Sequence, residues 1–189
     1  EYDKINLFSS SNSTLEEEIK LLSTLPLLFQ PSKMWRYSVS MDVLGRILEV
    51  IKQDSLQDIL NNQIFNPLEM NKTAFNVLDE NRSLLMNSYE FDPLQNKLTE
   101  HILEPQRIGN YGHPVNNNNF ARGGHGLYST LEDFMKFVEM LHTGKTKDGE
   151  KIIDKKIIDL MTKNHLNNKL FPIEILNITT IKDQNYTND

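Results

Sequence analysis

Trp35-Arg36-Tyr37-Ser38-Val39-Ser40-Met41-Asp42-Val43-Leu44-Gly45 places a tyrosine-serine pair at the mouth of a helix. Met41, Leu44, Ile47, Leu48 and Ile51 recur at helical spacing, which predicts that this apolar face of the helix is committed to a core. Ser38 or Ser40 is expected to cap its start by accepting from a free backbone N–H. Pro31 with Ser32-Lys33 marks a turn before it. A phenol just ahead of a helix N-terminus lies near the positive end of the dipole, a sensible place to hold or pass a proton. Read from composition only, the same tyrosine and the neighbouring Trp35 are packing residues at a helix edge.

Outward from this stretch, two more blocks stand in order. Ile64-Phe65-Asn66-Pro67-Leu68-Glu69-Met70-Asn71-Lys72-Thr73-Ala74-Phe75 follows, and then Arg122-Gly123-Gly124-His125-Gly126-Leu127-Tyr128-Ser129-Thr130 with Asp133 and Phe134. Together with Leu25-Pro26-Leu27 and Phe29-Gln30-Pro31, the three blocks closely resemble the serine β-lactamase-like family of class C β-lactamases, DD-peptidases and family VIII carboxylesterases. The second block is similar to that family's "IF-PLGM-DT-F" segment and the third to its "GG-GL-ST" turn and helix. The resemblance covers roughly residues 20–165. It implies an α/β (α+β) fold in which a helical subdomain lies beside a mostly antiparallel sheet. This chain is expected to be mostly helical, with a few short strands.

By the same resemblance Tyr37 is the catalytic tyrosine of a two-step acyl transfer through an acyl-serine, on a small-molecule ester or β-lactam, with no metal or organic cofactor. Trp35 and Val39 become the candidate substrate-binding residues. The β-lactamase pattern is Tyr-x-Asn, whose amide bonds the substrate's side-chain amide; Val39 offers no polar atom in that place. The Tyr-Ser-Val form resembles the carboxylesterase-like members. The family's nucleophile motif is Ser-x-x-Lys, one helical turn that sets an amine against the serine hydroxyl. No serine of this chain has lysine three residues on. His142-Thr143-Gly144 matches the letters of the family's third motif but reads as a helix C-terminus, where glycine ends the helix and a cationic histidine favours the dipole. The expectation is therefore a middle-to-C-terminal fragment, inactive by itself, whose partner is the missing N-terminal part of the same protein. The rival expectation is a non-catalytic helical module.

Composition narrows the remaining classes. In 189 residues the chain has 38% hydrophobic and 24% charged residues, ordinary for a globular protein with ample core. A net charge of −6 without a basic stripe argues against nucleic acid as a partner. No apolar run approaches the ~20 residues of a membrane span. The chain opens Glu1-Tyr2-Asp3, without a signal-peptide pattern, and the compartment stays undecided. With no cysteine there is no disulfide or thiolate chemistry, and the five histidines show no metal-ligand spacing. The sequons Asn71-Lys72-Thr73 and Asn177-Ile178-Thr179 read as chance products of an asparagine-rich chain.

The elements follow from caps and periodicity. Ser13-Thr14-Leu15-Glu16 opens a first helix as a capping box, with Leu15, Ile19 and Leu22 on one face and Pro26 closing it. Ser55 opens a short helix through Ile59, Leu60 and Ile64. A further helical turn is expected in 76–85. Tyr89, Phe91, Leu98 and Ile102 suggest a weak hairpin turning through Asp92-Pro93 and Gln95-Asn96. Residues 109–126 read as a long, glycine- and asparagine-rich loop of the kind that carries function. Ser129-Thr130-Leu131-Glu132 is a second capping box, for a helix with Phe134, Phe137, Val138 and Leu141 that Gly144 ends. Lys151-Ile152-Ile153 reads as a strand, and Asp154 caps a helix through Ile157, Ile158 and Met161. Residues 1–165 thus form the helical subdomain with its flanks. Residues 166–189, rich in isoleucine and leucine, begin an unfinished strand region or a tail.

Overall fold

The computed structural model of the chain describes residues 5, 7, 13–35, 38–87, 89–100, 121–165, 173–174 and 185–186. Helix α1 (Leu15–Leu22) starts at a full capping box, but one residue later than the sequence suggests. Thr14 is the N-cap, accepting from Glu17 N at 3.2 Å, while Glu17 Oε2 accepts from Thr14 N at 2.8 Å. Ser13 is drawn away by Glu18, to which its hydroxyl donates. The helix stops at Leu22, with Ser23 as C-cap, ahead of Pro26. Leu15, Ile19 and Leu22 face one cluster, as their spacing predicts.

Helix α2 (Ser40–Lys52) contradicts two sequence expectations. Its N-cap is Val39, with no side-chain cap bond, because the Ser38 and Ser40 hydroxyls bond each other at 2.5 Å. Its inward face is not the apolar stripe. Asp42 and Gly45 are the buried residues, and Leu48 packs against the core. Met41, Leu44, Ile47 and Ile51 are 45–68% exposed. Gln53 ends the helix in the left-handed region, φ 56°.

Ser55 caps α3 (Leu56–Leu60), which runs on into a π-helical turn over Asn61–Phe65. A 3₁₀ helix over Asp79–Leu84 supplies the expected further turn. Strands β1 (Tyr89–Asp92) and β2 (Lys97–Glu100) pair antiparallel, Tyr89 opposite Glu100 and Asp92 opposite Lys97. Their turn is held by Asp92 Oδ1, which accepts from Leu94 N and Gln95 N. Ile102 and the loop residues 109–120 lie outside the described residues, as does Asn177-Ile178-Thr179. Helix α4 (Leu131–Thr143) is again capped one residue later than expected: Thr130 accepts from Asp133 N. Gly144 ends it at φ 76°, where a Cβ would lie 2.6 Å from Ile153 O. Its inward residues are Asp133, Phe137, Met140 and Leu141, whereas Phe134 and Val138 stay exposed. Lys151 makes only an isolated bridge with Lys145 in place of the expected strand. Asp154 caps α5 (Lys155–Met161), on which Ile157 and Met161 are exposed. Within the tail, β3 (Ile173–Glu174) pairs antiparallel with β4 (Asn185–Tyr186).

Two apolar clusters organise these elements. Leu7, Leu15, Leu56, Phe75 and Ala121 form the first, with Val39 and Leu48 packed against it. Phe65, Leu68, Met70 and Met140 form the second, with Phe137 and Leu141 packed against it. Asp133, a buried carboxylate, ties the end of the second block to the start of α4. Its Oδ2 accepts from Lys72 N at 2.8 Å and from Thr73 Oγ1 at 3.0 Å. Its Oδ1 accepts from Lys136 Nζ at 3.2 Å. Thr73 and Ser129 share a further hydroxyl bond at 2.8 Å, and Ala74 and Tyr128 exchange two backbone bonds. Beside this seam Asn76, Leu78, Asn81, Leu85 and Tyr128 help to line a cavity of about 90 Å³. Burial there raises the Tyr128 phenol above its ordinary range.

Asp133→Ala removes one acceptor from three donors, two of them on the Lys72-Thr73 segment, and is expected to cost roughly 3 kcal/mol in urea unfolding. A loss within about 0.5 kcal/mol, the range of ordinary surface substitutions, would show that the carboxylate is dispensable. For Tyr128 the folded value is the higher one. Its contribution to stability is therefore present below about pH 10 and is lost as pH rises from there through the folded value. Tyr128→Phe should remove a component from the alkaline end of the tyrosinate absorbance titration. A uniform loss of amplitude across the curve would show an ordinary, solvated phenol.

Candidate active site

Two of the three sequence blocks meet at the start of α2. Asp42, in its first turn, is 2% exposed and pairs with Arg122, whose Nε donates to Asp42 Oδ1 at 3.1 Å. The residues after Arg122 lie directly on the helix. A Cβ on Gly123 would fall 1.9 Å from Met41 O, and one on Gly124 would fall 3.1 Å from Asp42 Oδ2. A Cβ on Gly45, one turn further on, would meet Leu56 Cδ2 at 2.9 Å and Gly123 Cα at 3.5 Å. Glycine is thus required at 123 for close backbone approach. At Gly126 the requirement is conformational, since φ is 92°.

The sequence-predicted residues precede this junction in the chain. Trp35 is half-buried and Ser38 is exposed. Val39 is half-buried and packs against the first cluster, so part of its surface belongs to the core. Arg36 and Tyr37, the latter the predicted catalytic residue, lie outside the described residues. His142 is in the last turn of α4 and Gly144 is its C-cap, as expected for a helix end. Among the described residues no group of three or more His, Asp and Glu is placed to hold a metal ion. None of the described helices is long and apolar enough to cross a membrane.

Sequence reasoning missed Asp42 and Arg122. The signal was present: an acidic residue three positions before Gly45 shares a helix face with it, and an arginine directly precedes the Gly123-Gly124 pair. Nothing in the local pattern shows that two residues so far apart in the chain pair with one another.

A family model described as Beta-lactamase matches residues 4–173. An uncharacterized protein of Mycobacterium tuberculosis is 31% identical over 145 residues, which is 77% of this chain and 34% of the relative. The lovastatin esterase of Penicillium rubens is 29% identical over 150 residues, 78% of this chain and 35% of the esterase. The chain therefore spans about a third of the length of these two relatives. Among solved structures, EstCE1, a hydrolase with promiscuous acyltransferase activity, superposes with a TM-score of 0.67 at 25% identity, over 85% of this chain and 43% of the hydrolase. The 189-residue chain belongs to the beta-lactamase family of serine hydrolases and transpeptidase-like proteins, and carries a mostly helical part of their α+β fold.

Proposed function

We propose that this chain supplies the tyrosine side of an acyl-serine hydrolase that acts on small esters in preference to β-lactams. The observation that carries the reading is the sequence triplet Tyr37-Ser38-Val39 immediately before Ser40, the first residue of α2, in a chain of this family. In the proposed cycle a serine hydroxyl attacks the ester carbonyl. The Tyr37 phenolate takes the hydroxyl proton and then gives it to the departing alkoxide. The acyl-serine that remains is cleaved by water, with the same phenol relaying the proton. A phenol with an ordinary pKa near ~10 does this at neutral pH only beside a cation that stabilises the phenolate. A motif lysine is the natural source, and no Ser-x-x-Lys occurs in these 189 residues. The nucleophile and its lysine therefore come from polypeptide outside them.

Trp35 and Val39 form the acyl side of the cleft in this reading. Val39 acts by what it lacks, since it presents no amide to a β-lactam side chain. The named relatives with ester and acyl-transfer chemistry support the choice of substrate class. A second reading, a helical module without catalysis, is favoured by the two apolar clusters that the described residues close among themselves.

The 189-residue chain by itself is expected to hydrolyse neither nitrocefin nor p-nitrophenyl acetate above buffer. Saturable turnover that a serine-directed inhibitor abolishes would mean that the nucleophile is within the chain. In a catalytically complete protein, Tyr37→Phe removes only a hydroxyl and should lower kcat roughly 10²-fold. An unchanged kcat would leave the module reading in place.

The substrate preference is tested by two kcat/KM values, for a short-chain ester and for a cephalosporin, in parent and Val39→Asn. The parent should favour the ester, and the variant should move the ratio towards the cephalosporin by about 5- to 30-fold, the worth of one or two hydrogen-bond increments. A parent that already favours the cephalosporin would overturn the preference.

A further inference from the structure

We propose that Asp42 and Arg122 are positioning residues that clamp the N-terminal end of α2, and with it the approach carrying Tyr37, onto the Arg122–Gly124 turn. The proposal rests on the reading of Tyr37 as the acid/base.

Four observations bear on it. The usual device for fixing a helix entry is missing, because Val39 caps α2 without a side-chain bond and the two flanking serine hydroxyls are spent on each other. In the first turn Asp42 makes a long-range polar tie to Arg122, with side chains 3% and 11% exposed. The turn after Arg122 touches main chain directly, since the space for a Cβ on Gly123 is occupied by Met41 O and Met41 C. Of the apolar residues at this entry Val39 packs against the first cluster, whereas Met41 and Leu44 are 55% and 45% exposed and add little hold.

The chemistry of the pair suits placement better than raw stability. A buried ion pair repays its desolvation only with good geometry, and an apolar pair of the same shape often stabilises as well. A planar guanidinium against a carboxylate, however, accepts a narrow range of orientations. The pair thus sets the direction in which the chain enters α2 from Trp35 and Ser38. Tyr37 stands five residues before Asp42 in that approach. An error of about 1 Å at a catalytic group can cost a hundredfold in rate, so an entry held by a directional pair has a catalytic use.

Trp35 is the single tryptophan of the chain and stands two residues before Tyr37, so its emission reports this approach without any need for turnover. Asp42→Asn in the 189-residue chain should leave the helical circular dichroism unchanged while it red-shifts Trp35 emission and makes it more accessible to acrylamide. Gly123→Ala, which keeps both charges but inserts a methyl group against Met41 O, should do the same. Should Asp42→Asn fail to fold, Gly123→Ala decides the matter. A folded variant with lowered thermal stability but parent-like emission and quenching would reduce the pair to a plain stabiliser and overturn the proposal.

In a catalytically complete protein Asp42→Asn should lower kcat about tenfold with KM little changed, the signature of a misplaced group rather than a lost binding contact. If Tyr37→Phe lowers kcat and Asp42→Asn does not, the clamp is wrong. If neither lowers it, the acid/base reading has failed, and Trp35 emission still decides the clamp.

Discussion

The ion pair between Asp42 and Arg122 lies on the buried side of α2. An acidic side chain in the first turn is favoured there by the helix dipole, and once removed from water it needs a partner. Arg122 is that partner, and bringing it in also brings Gly123 against Met41 O and Gly45. The contact between two glycines lets the helix and the turn approach at backbone distance. A side chain at Gly123 would force them apart. The polar and small side of α2 is turned inward, and the stripe of Met41, Leu44, Ile47 and Ile51 is left outward.

Much of the local architecture was legible in the sequence, because caps and hairpin turns are local chemistry. Ser55 and Asp154 cap their helices, Gly144 ends α4 and the Asp92-to-Asn96 turn closes a hairpin. The two Ser-Thr starts were read one residue early for a reason that is not local. In both pairs either hydroxyl could cap. Ser13 instead serves the buried Glu18 and Ser129 serves Thr73, so the threonine is left to each helix. The orientation of α2 was misread for a related reason. Periodicity shows which residues share a face, not which face turns inward, and here Asp42, Gly45 and Leu48 face the core while Met41, Leu44, Ile47 and Ile51 do not.

The candidate site residues have a different origin. Tyr37, Trp35 and Val39 were singled out by resemblance to a family, and membership of that family is borne out by the match over residues 4–173. Their roles do not follow from helical spacing. The packing of Val39 against the first cluster was not legible either, since a valine before a helix reads equally as a cleft wall or as core. Glu69 is a further departure. It stands where the resembling motif has glycine, in a left-handed conformation at φ 56°, and its carbonyl accepts from Lys136 Nζ at 2.7 Å. That charge-assisted bond offsets part of the strain that glycine would avoid.

Leu60 packs in both apolar clusters. It stands at the last position of α3, where the backbone loosens into the π-helical turn of Asn61–Phe65. Two cores that share one leucine, and are otherwise joined through the Asp133 seam between residues 72–74 and 128–133, need not come apart together. The cooperativity of unfolding is thus concentrated in a few joints rather than spread through a continuous interior. Trimming Leu60 would loosen the coupling between the two cores as well as the packing of each, so that a single transition would resolve into two.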